Sequence, residues 1–165
     1  MRFNLQPTLS NELVLLRPLA EVDQAALYAV AKDPLIWEQH PCSNRWQKKE
    51  FDAFFQESLD SGGALIVVDN SSADIIGSSR FKPVDGHPNA VEIGWSFLAR
   101  KFWGGTYNRA VKQLMINHAM RTLEHVIFYI GTDNIRSQKA VEKIGAVQIT
   151  DDQDPLKKKS DVDLT

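Results

Sequence analysis

Residues 97–119 read FLARKFWGGTYNRAVKQLMINHA. The stretch runs from a strand end, through an aromatic and glycine pair, straight into an amphipathic helix. Small or apolar side chains recur at Tyr107, Ala110, Val111, Leu114, Met115 and Ala119, the spacing of one helix face. Gly104 and Gly105 stand where the backbone turns tightly before that helix. A turn of this kind leaves the first N–H groups of the helix without carbonyl partners. Those donors, with the positive end of the helix dipole, suit a phosphate or pyrophosphate. The same glycines fit a plain helix entry with no ligand, and the motif alone does not separate the two.

Outward from this turn, the pattern alternates between helix and strand periods. Residues 1–10 read as a loose arm and 12–17 as a strand stopped by Pro18. Residues 21–32 read as a helix ended by Asp33-Pro34, because proline disfavours helix at the residue before it. A loop rich in polar and aromatic residues follows, then a helix over 47–61 closed by Gly62-Gly63. Residues 64–68, 75–81 and 90–98 alternate as strands. Gly94 inside the third of these marks a bulge or a close backbone approach. After the long helix come a strand at 125–130, a helix at 134–144 and a strand at 147–150. Residues 151–160 read as a hairpin loop and 161–165 as the start of one more strand, cut short. The order predicts a mixed α/β or α+β sheet with helices packed on it.

A chain of 165 residues suits one domain with a real core. A net charge of −2 gives no basic field to draw it to nucleic acid. No run approaches the ~20 apolar residues of a membrane span, and residues 1–20 lack the apolar centre of a signal peptide. The lone Cys42 excludes an internal disulfide framework, which fits the cytoplasm. No cluster of His, Cys, Asp or Glu has metal-ligand spacing, so no metal is expected. His118 falls near the apolar helix face and reads as a core or boundary residue. His40 and His87 sit beside prolines and read as solvated surface. Lys157–Lys159 reads as a solvated loop.

Four pieces, in this order and spacing, resemble the GCN5-related N-acetyltransferases, and within them the branch of the ribosomal-protein N-terminal acetyltransferases. They are Leu15-Leu-Arg-Pro-Leu19 with Asp33-Pro-Leu-Ile-Trp37; Val91-Glu-Ile-Gly-Trp95; Phe102-Trp-Gly-Gly-Thr-Tyr-Asn108; and Asn134-Ile-Arg-Ser137 with Glu142-Lys-Ile-Gly-Ala146. Together they span residues 12–150. The resemblance implies a central, mostly antiparallel sheet of six to seven strands flanked by four helices. It also implies acetyl transfer from acetyl-CoA to a primary amine, by direct attack in a ternary complex. The implied acceptor is a protein or peptide N-terminus. A polyamine, amino acid or antibiotic is the alternative, and a non-catalytic acyl-CoA-binding module on the same fold is the rival from another class. Two positions depart from the family pattern. Thr106 replaces the last small residue of the diphosphate loop, where its hydroxyl either caps the helix or crowds the ligand. Val141 stands where many members carry a tyrosine that protonates the leaving thiolate.

The chemistry makes three demands. The amine attacks through its lone pair and so must be neutral. The thioester oxygen needs a hydrogen-bond donor as charge builds on it. The sulfur leaves as a thiolate or thiol, with a pKa near ~8.5. By resemblance, Glu92 is the base or positions the amine, on the same strand face as Gly94. A strand glutamate paired with a lysine is the plain alternative. Ser137 is the donor to the leaving sulfur. Asn134 binds the pantetheine arm, or caps the helix as Asn-x-x-Ser does. Phe97 and Leu98 offer backbone groups to pantetheine. Lys101, Phe102, Trp103, Gly104, Gly105, Thr106, Tyr107 and Asn108 surround the diphosphate, although Trp103, Tyr107 and Asn108 also fit packing or capping. Trp37, Arg45 and Trp46 line the acceptor wall, where core packing or an interface suits the tryptophans equally. A cut-short last strand would leave a sheet edge for a partner chain to cover, so a homodimer is an expectation.

Overall fold

A computed structural model describes residues 3–149. Six strands form one sheet in sequential order: β1 (Leu9–Ser10), β2 (Val14–Pro18), β3 (Ala64–Asp69), β4 (Ile75–Val84), β5 (His87–Leu98) and β6 (His125–Ile127). Neighbours are antiparallel except β5 and β6, which run parallel. A parallel pair needs a crossover, supplied here by α4 (Thr106–Met120). The other helices are α1 (Gln24–Ala31), α2 (Pro34–Trp37), α3 (Lys48–Ser61) and α5 (Ile135–Glu142). The expected mixed, mostly antiparallel sheet is therefore present, with five helices among the described residues rather than four.

Alternation along the strands sorts the apolar residues into two cores. Val14, Leu16, Leu65, Val67, Phe81, Val91 and Ile93 pack with Ala110, Val111 and Met115 of α4. Ile66 and Phe97 pack with Leu27, Trp37, Phe51 and Phe54 of α1, α2 and α3. The proline that closes α1 also opens α2. Asp33 accepts a hydrogen bond from the Leu35 N–H, and Pro34 takes the first turn, where no donor is needed. Sequence reading saw only the stop.

Two expected features are corrected. The segment before β2 is not a loose arm: Phe3 sets its ring edge-on to Phe81 at 5.2 Å, and Leu9 pairs with Leu16. The strand expected at 147–150 is absent over 147–149. Thr150 lies outside the described residues, as do the hairpin loop and last strand expected at 151–165.

The irregularity expected at Gly94 falls one residue later. Ser78 pairs with Phe97 and Arg80 with Gly94, so β5 carries one extra residue between those pairs. Trp95 takes the left-handed region there, with φ of 53°. On the other side of β5, pairing with β6 ends at Glu92 and Ile127. Beyond Glu92 the two strands part, and a cleft opens between β5 and α5.

Candidate active site

The cleft holds a cavity of about 310 Å³. Ser96, Phe97 and Leu98 form its β5 wall. Asn134 and Ser137, at the start of α5, form the facing wall. Gly104 and Gly105 lie at one end, and Trp37 and His40 also line it. One space thus joins the bulge, the glycine turn and the entry to α5.

At the glycine turn, Gly104 and Gly105 have φ of 115° and 105°, a region that side-chain-bearing residues rarely adopt. Gly105 is the N-cap of α4 and supplies no side-chain cap. The first backbone donors of α4 therefore lack intrahelical partners. Thr106 is the first helical residue, exposed, and does not cap. A β-carbon at Gly105 would lie 3.8 Å from the Lys143 ammonium. The turn therefore brings together bare N–H groups, a helix dipole and a lysine, the donor set a diphosphate needs. Lys139 and Lys143 both line the cavity. Sequence reading missed them, although both fall on the helix segment that carries Ser137.

Other predicted residues divide between cavity and core. Asn134 is buried, lines the cavity and accepts a hydrogen bond from the Ser137 N–H at 3.4 Å. It is a helix cap and a cleft residue at once. Trp103 donates its indole N–H to the Leu98 carbonyl at 2.9 Å. The Arg136 guanidinium stacks on its ring at 4.0 Å. Asn108 reaches the cavity. Phe102 and Tyr107 turn into the α4 core, and the Tyr107 hydroxyl bonds Asp69. The Lys101 ammonium lies over the Phe102 ring at 5.1 Å. Lys101, Phe102, Thr106 and Tyr107 do not line the cavity.

Glu92 sits where β5 and β6 part. It is half-buried, and a β-carbon at Gly94 would lie 3.4 Å from its Oε2. The two residues share a face, because the bulge follows them. Burial raises the Glu92 pKa above the ordinary carboxylate range, while Lys82 and Arg80 pull it back. Lys82 lies directly opposite on β4, so the lysine of the plain alternative is present too.

Trp37 is buried at the cavity wall and donates its indole N–H to the Ala31 carbonyl at 2.8 Å. Arg45 stacks its guanidinium over Phe54 at 4.2 Å and lies 5.3 Å from the Trp37 ring centre. Trp46 does not line the cavity; its carbonyl accepts a hydrogen bond from Tyr28. His40 is not solvated surface. It packs edge-on to Trp37 at 5.4 Å, and its Nδ1 accepts the Cys42 N–H at 2.9 Å. Burial, aided by Arg45 and Arg136, pushes its pKa down to about 4. His118 packs on Phe3 and Phe81, as a boundary residue does.

Lys112 was also missed. It is fully buried, and its Nζ donates to the Ser96 hydroxyl, which in turn pairs with Ser79 at 2.7 Å. Burial alone pushes its pKa down to about 7. The chain from α4 through Ser96 to β4 ties down the bulged backbone. Its signal was in the sequence: Lys112 precedes Met115 and Ala119 by three and seven residues, within the apolar stripe.

Among the described residues no group of three or more His, Cys, Asp or Glu is placed to hold a metal, and no helix is long and apolar enough to cross a membrane. A family model described as an acetyltransferase (GNAT) domain matches residues 14–147. The fold is similar to that of a GNAT-family acetyltransferase from Bacillus anthracis, with a TM-score of 0.74 and 18% identity over 87% of this chain and 86% of that one. It is similar to Mycobacterium smegmatis RimJ, solved in complex with CoA-disulfide, with a TM-score of 0.68 and 17% identity over 91% and 80%. It is also similar to the microcin C7 self-immunity acetyltransferase MccE, solved with acetyl-CoA and AMP, with a TM-score of 0.66 and 18% identity over 82% and 79%. The forked β5/β6 pair, the glycine turn and the capped α5 all lie within the matched residues, and the chain belongs to the GNAT acetyltransferase family.

Proposed function

We propose that this protein is an acetyl-CoA-dependent N-acetyltransferase acting on a primary amine, with a protein or peptide N-terminus as the acceptor. The observation that carries this reading is the cavity that joins the glycine turn before α4 to Ser96, Phe97 and Leu98 of β5 and to Asn134 and Ser137; Glu92 lies on the same strand, outside that lining. Backbone N–H groups at residues 104–108, with Lys139 and Lys143, would hold the diphosphate. The β5 wall at Phe97 and Leu98 would flank the pantetheine arm, with Asn134 opposite. Acetyl-CoA bound there supplies an acetyl thioester, whose carbon is open to a neutral amine. Attack is direct: the C–N bond forms as the C–S bond breaks. Glu92, with its raised pKa, takes the proton the amine gives up. Ser137 donates to the leaving sulfur in place of the tyrosine absent at Val141. Lys112 and Ser79 hold Ser96, and with it the backbone of the bulge, in place.

Thermal unfolding with acetyl-CoA, free CoA and ATP tests the cofactor site. A hundredfold excess over the dissociation constant adds about 2.7 kcal/mol, a shift of about 5–10 °C for a chain of this size. Stabilisation by both coenzymes and not by ATP is expected, followed by thiol release with N-terminal peptides. No shift at millimolar ligand defeats the reading. Binding with no turnover on any amine, unaltered by Glu92→Gln, marks a non-catalytic acyl-CoA-binding module instead.

A further inference from the structure

We infer that the acceptor amine carries an oxyanion, a carboxylate or phosphate, that docks on Arg45 beside the cleft. The inference rests on the acetyltransferase reading and names its substrate class. Arg45 is the starting point. Its guanidinium is partly buried against Phe54 and Trp37. Among the described residues it makes no ion pair and donates no hydrogen bond. Stacking occupies the face of a guanidinium and leaves its in-plane N–H donors free. Those donors form a rigid fork that matches an oxyanion. A cation that has lost part of its water and gained no bonded counter-ion is left wanting one.

The neighbouring charges point the same way. Arg80 stacks on Trp95 at 4.2 Å and lies 5.9 Å from Phe54, the ring beneath Arg45. Arg80 is 3% exposed, and its Nε is buried with no hydrogen-bond partner. Lys82 lies 5.8 Å from the Trp95 ring centre and opposite Glu92. Burial holds His40 neutral, and Arg45 and Arg136 add to the effect. Against these four cations stand three carboxylates. Glu57 is bonded to Arg80 and largely exposed. Glu38 faces Arg136. Glu92 is the base. Glu57 acts on Arg45 through its charge, but none of the three makes an ion pair or hydrogen bond with the Arg45 guanidinium. A chain of ring contacts thus links Lys82, opposite Glu92, through Trp95, Arg80 and Phe54 to Arg45, and Arg45 lies against Trp37, which lines the cavity. A polyamine would set its second ammonium against Arg45 and Arg80.

Matched acceptors test this. The dipeptide amides glycyl-glutamate, glycyl-glutamine and glycyl-lysine share one N-terminal amine. A small-molecule set pairs γ-aminobutyrate with its amide, aminoethyl phosphate and putrescine. Acetyl transfer is followed by thiol release with saturating acetyl-CoA. The oxyanion-bearing acceptors are expected to exceed their neutral twins in kcat/KM by roughly ten- to a hundredfold, mostly through KM. Arg45→Met, which keeps the stem and the stacking, brings the ratio near one, and Arg45→Lys restores part of it. A variant that fails to fold is replaced by Arg45→Gln. A best rate with aminoethyl phosphate assigns the oxyanion to a phosphate, and one with the carboxylates to a carboxylate; either supports the inference. Turnover with a wild-type ratio near one, a ratio untouched by Arg45→Met, or a preference for putrescine or the lysyl peptide overturns it and leaves the acetyltransferase reading standing. Coenzyme binding with no turnover on either set overturns both.

Discussion

The two ends of the cleft are built from different materials. At the glycine turn the donors are backbone N–H groups, fixed by two positive φ angles and the start of α4. At the other end the groups proposed to meet an acceptor are side chains, Glu92, Arg45 and His40, brought in from β5 and from the α2–α3 loop. A backbone site reads almost any diphosphate the same way, because every residue offers the same N–H. A side-chain site depends on which residues stand there. One fold can therefore keep its coenzyme while exchanging its acceptors, with function carried by the site rather than by the fold.

Changes at the two ends should have separable effects. The largest is expected from Glu92→Gln, which keeps the shape and removes the proton acceptor. It should lower kcat by about 10²–10⁴-fold while coenzyme binding by calorimetry stays close to wild type. With Glu92 as the proposed base, the rate should rise with pH through its raised pKa, and the variant should lose that limb. Coenzyme affinity lost along with turnover would mean the two ends are not separate. Next is Gly105→Ala. A side chain at φ of 105° strains the turn by about 1–3 kcal/mol. Coenzyme binding should weaken roughly tenfold or more, and kcat at saturation should change less. An unaltered dissociation constant would move the diphosphate away from the turn.

The smallest effect is expected at His40. Its pKa falls from an ordinary 6.5 to about 4, and its Nδ1 accepts a hydrogen bond that only the neutral ring can accept. The neutral ring therefore stabilises the fold fully above about pH 6.5, and that contribution is lost as the pH falls toward 4. His40 is only half-buried, so the loss is discounted to about 1–2 kcal/mol. Melting temperature followed from pH 7 to 4 should drop less steeply in His40→Asn. Identical slopes would place His40 in solvent, as its sequence neighbours suggested.

The same division explains what the sequence revealed. The glycine pair, the helix stripe and the Asn-x-x-Ser cap are local patterns, so the glycine turn, α4 and the capped start of α5 were legible from a few adjacent residues. Gly94 likewise announced a break in β5, although the left-handed residue is Trp95. The acceptor end was not legible in this way. Arg45 meets Arg80 only because the α2–α3 loop and β4 come together over Phe54, a contact that no spacing encodes. Phe3 on Phe81 escaped notice for the same reason. Lys112 escaped because a lysine in an apolar stripe reads as surface until the strand beneath it supplies Ser96. Lys143 lies outside the glycine motif, and only the packing of α5 against the turn brings it there.

The parting of β5 from β6 after Glu92 has a consequence for motion. Successive residues of a strand turn their amides to opposite sides, so some amides between Ser96 and Leu98 face β4 and others face the cleft. Without a ligand, the second set belongs to an unfinished sheet inside the molecule. Amide hydrogens there should exchange with solvent faster than those on the rest of β5, and a pantetheine arm lying along the gap would slow them. A protection map taken with and without the coenzyme would then trace the missing strand residue by residue, with the change confined to a few amides in the middle of an otherwise slow-exchanging sheet.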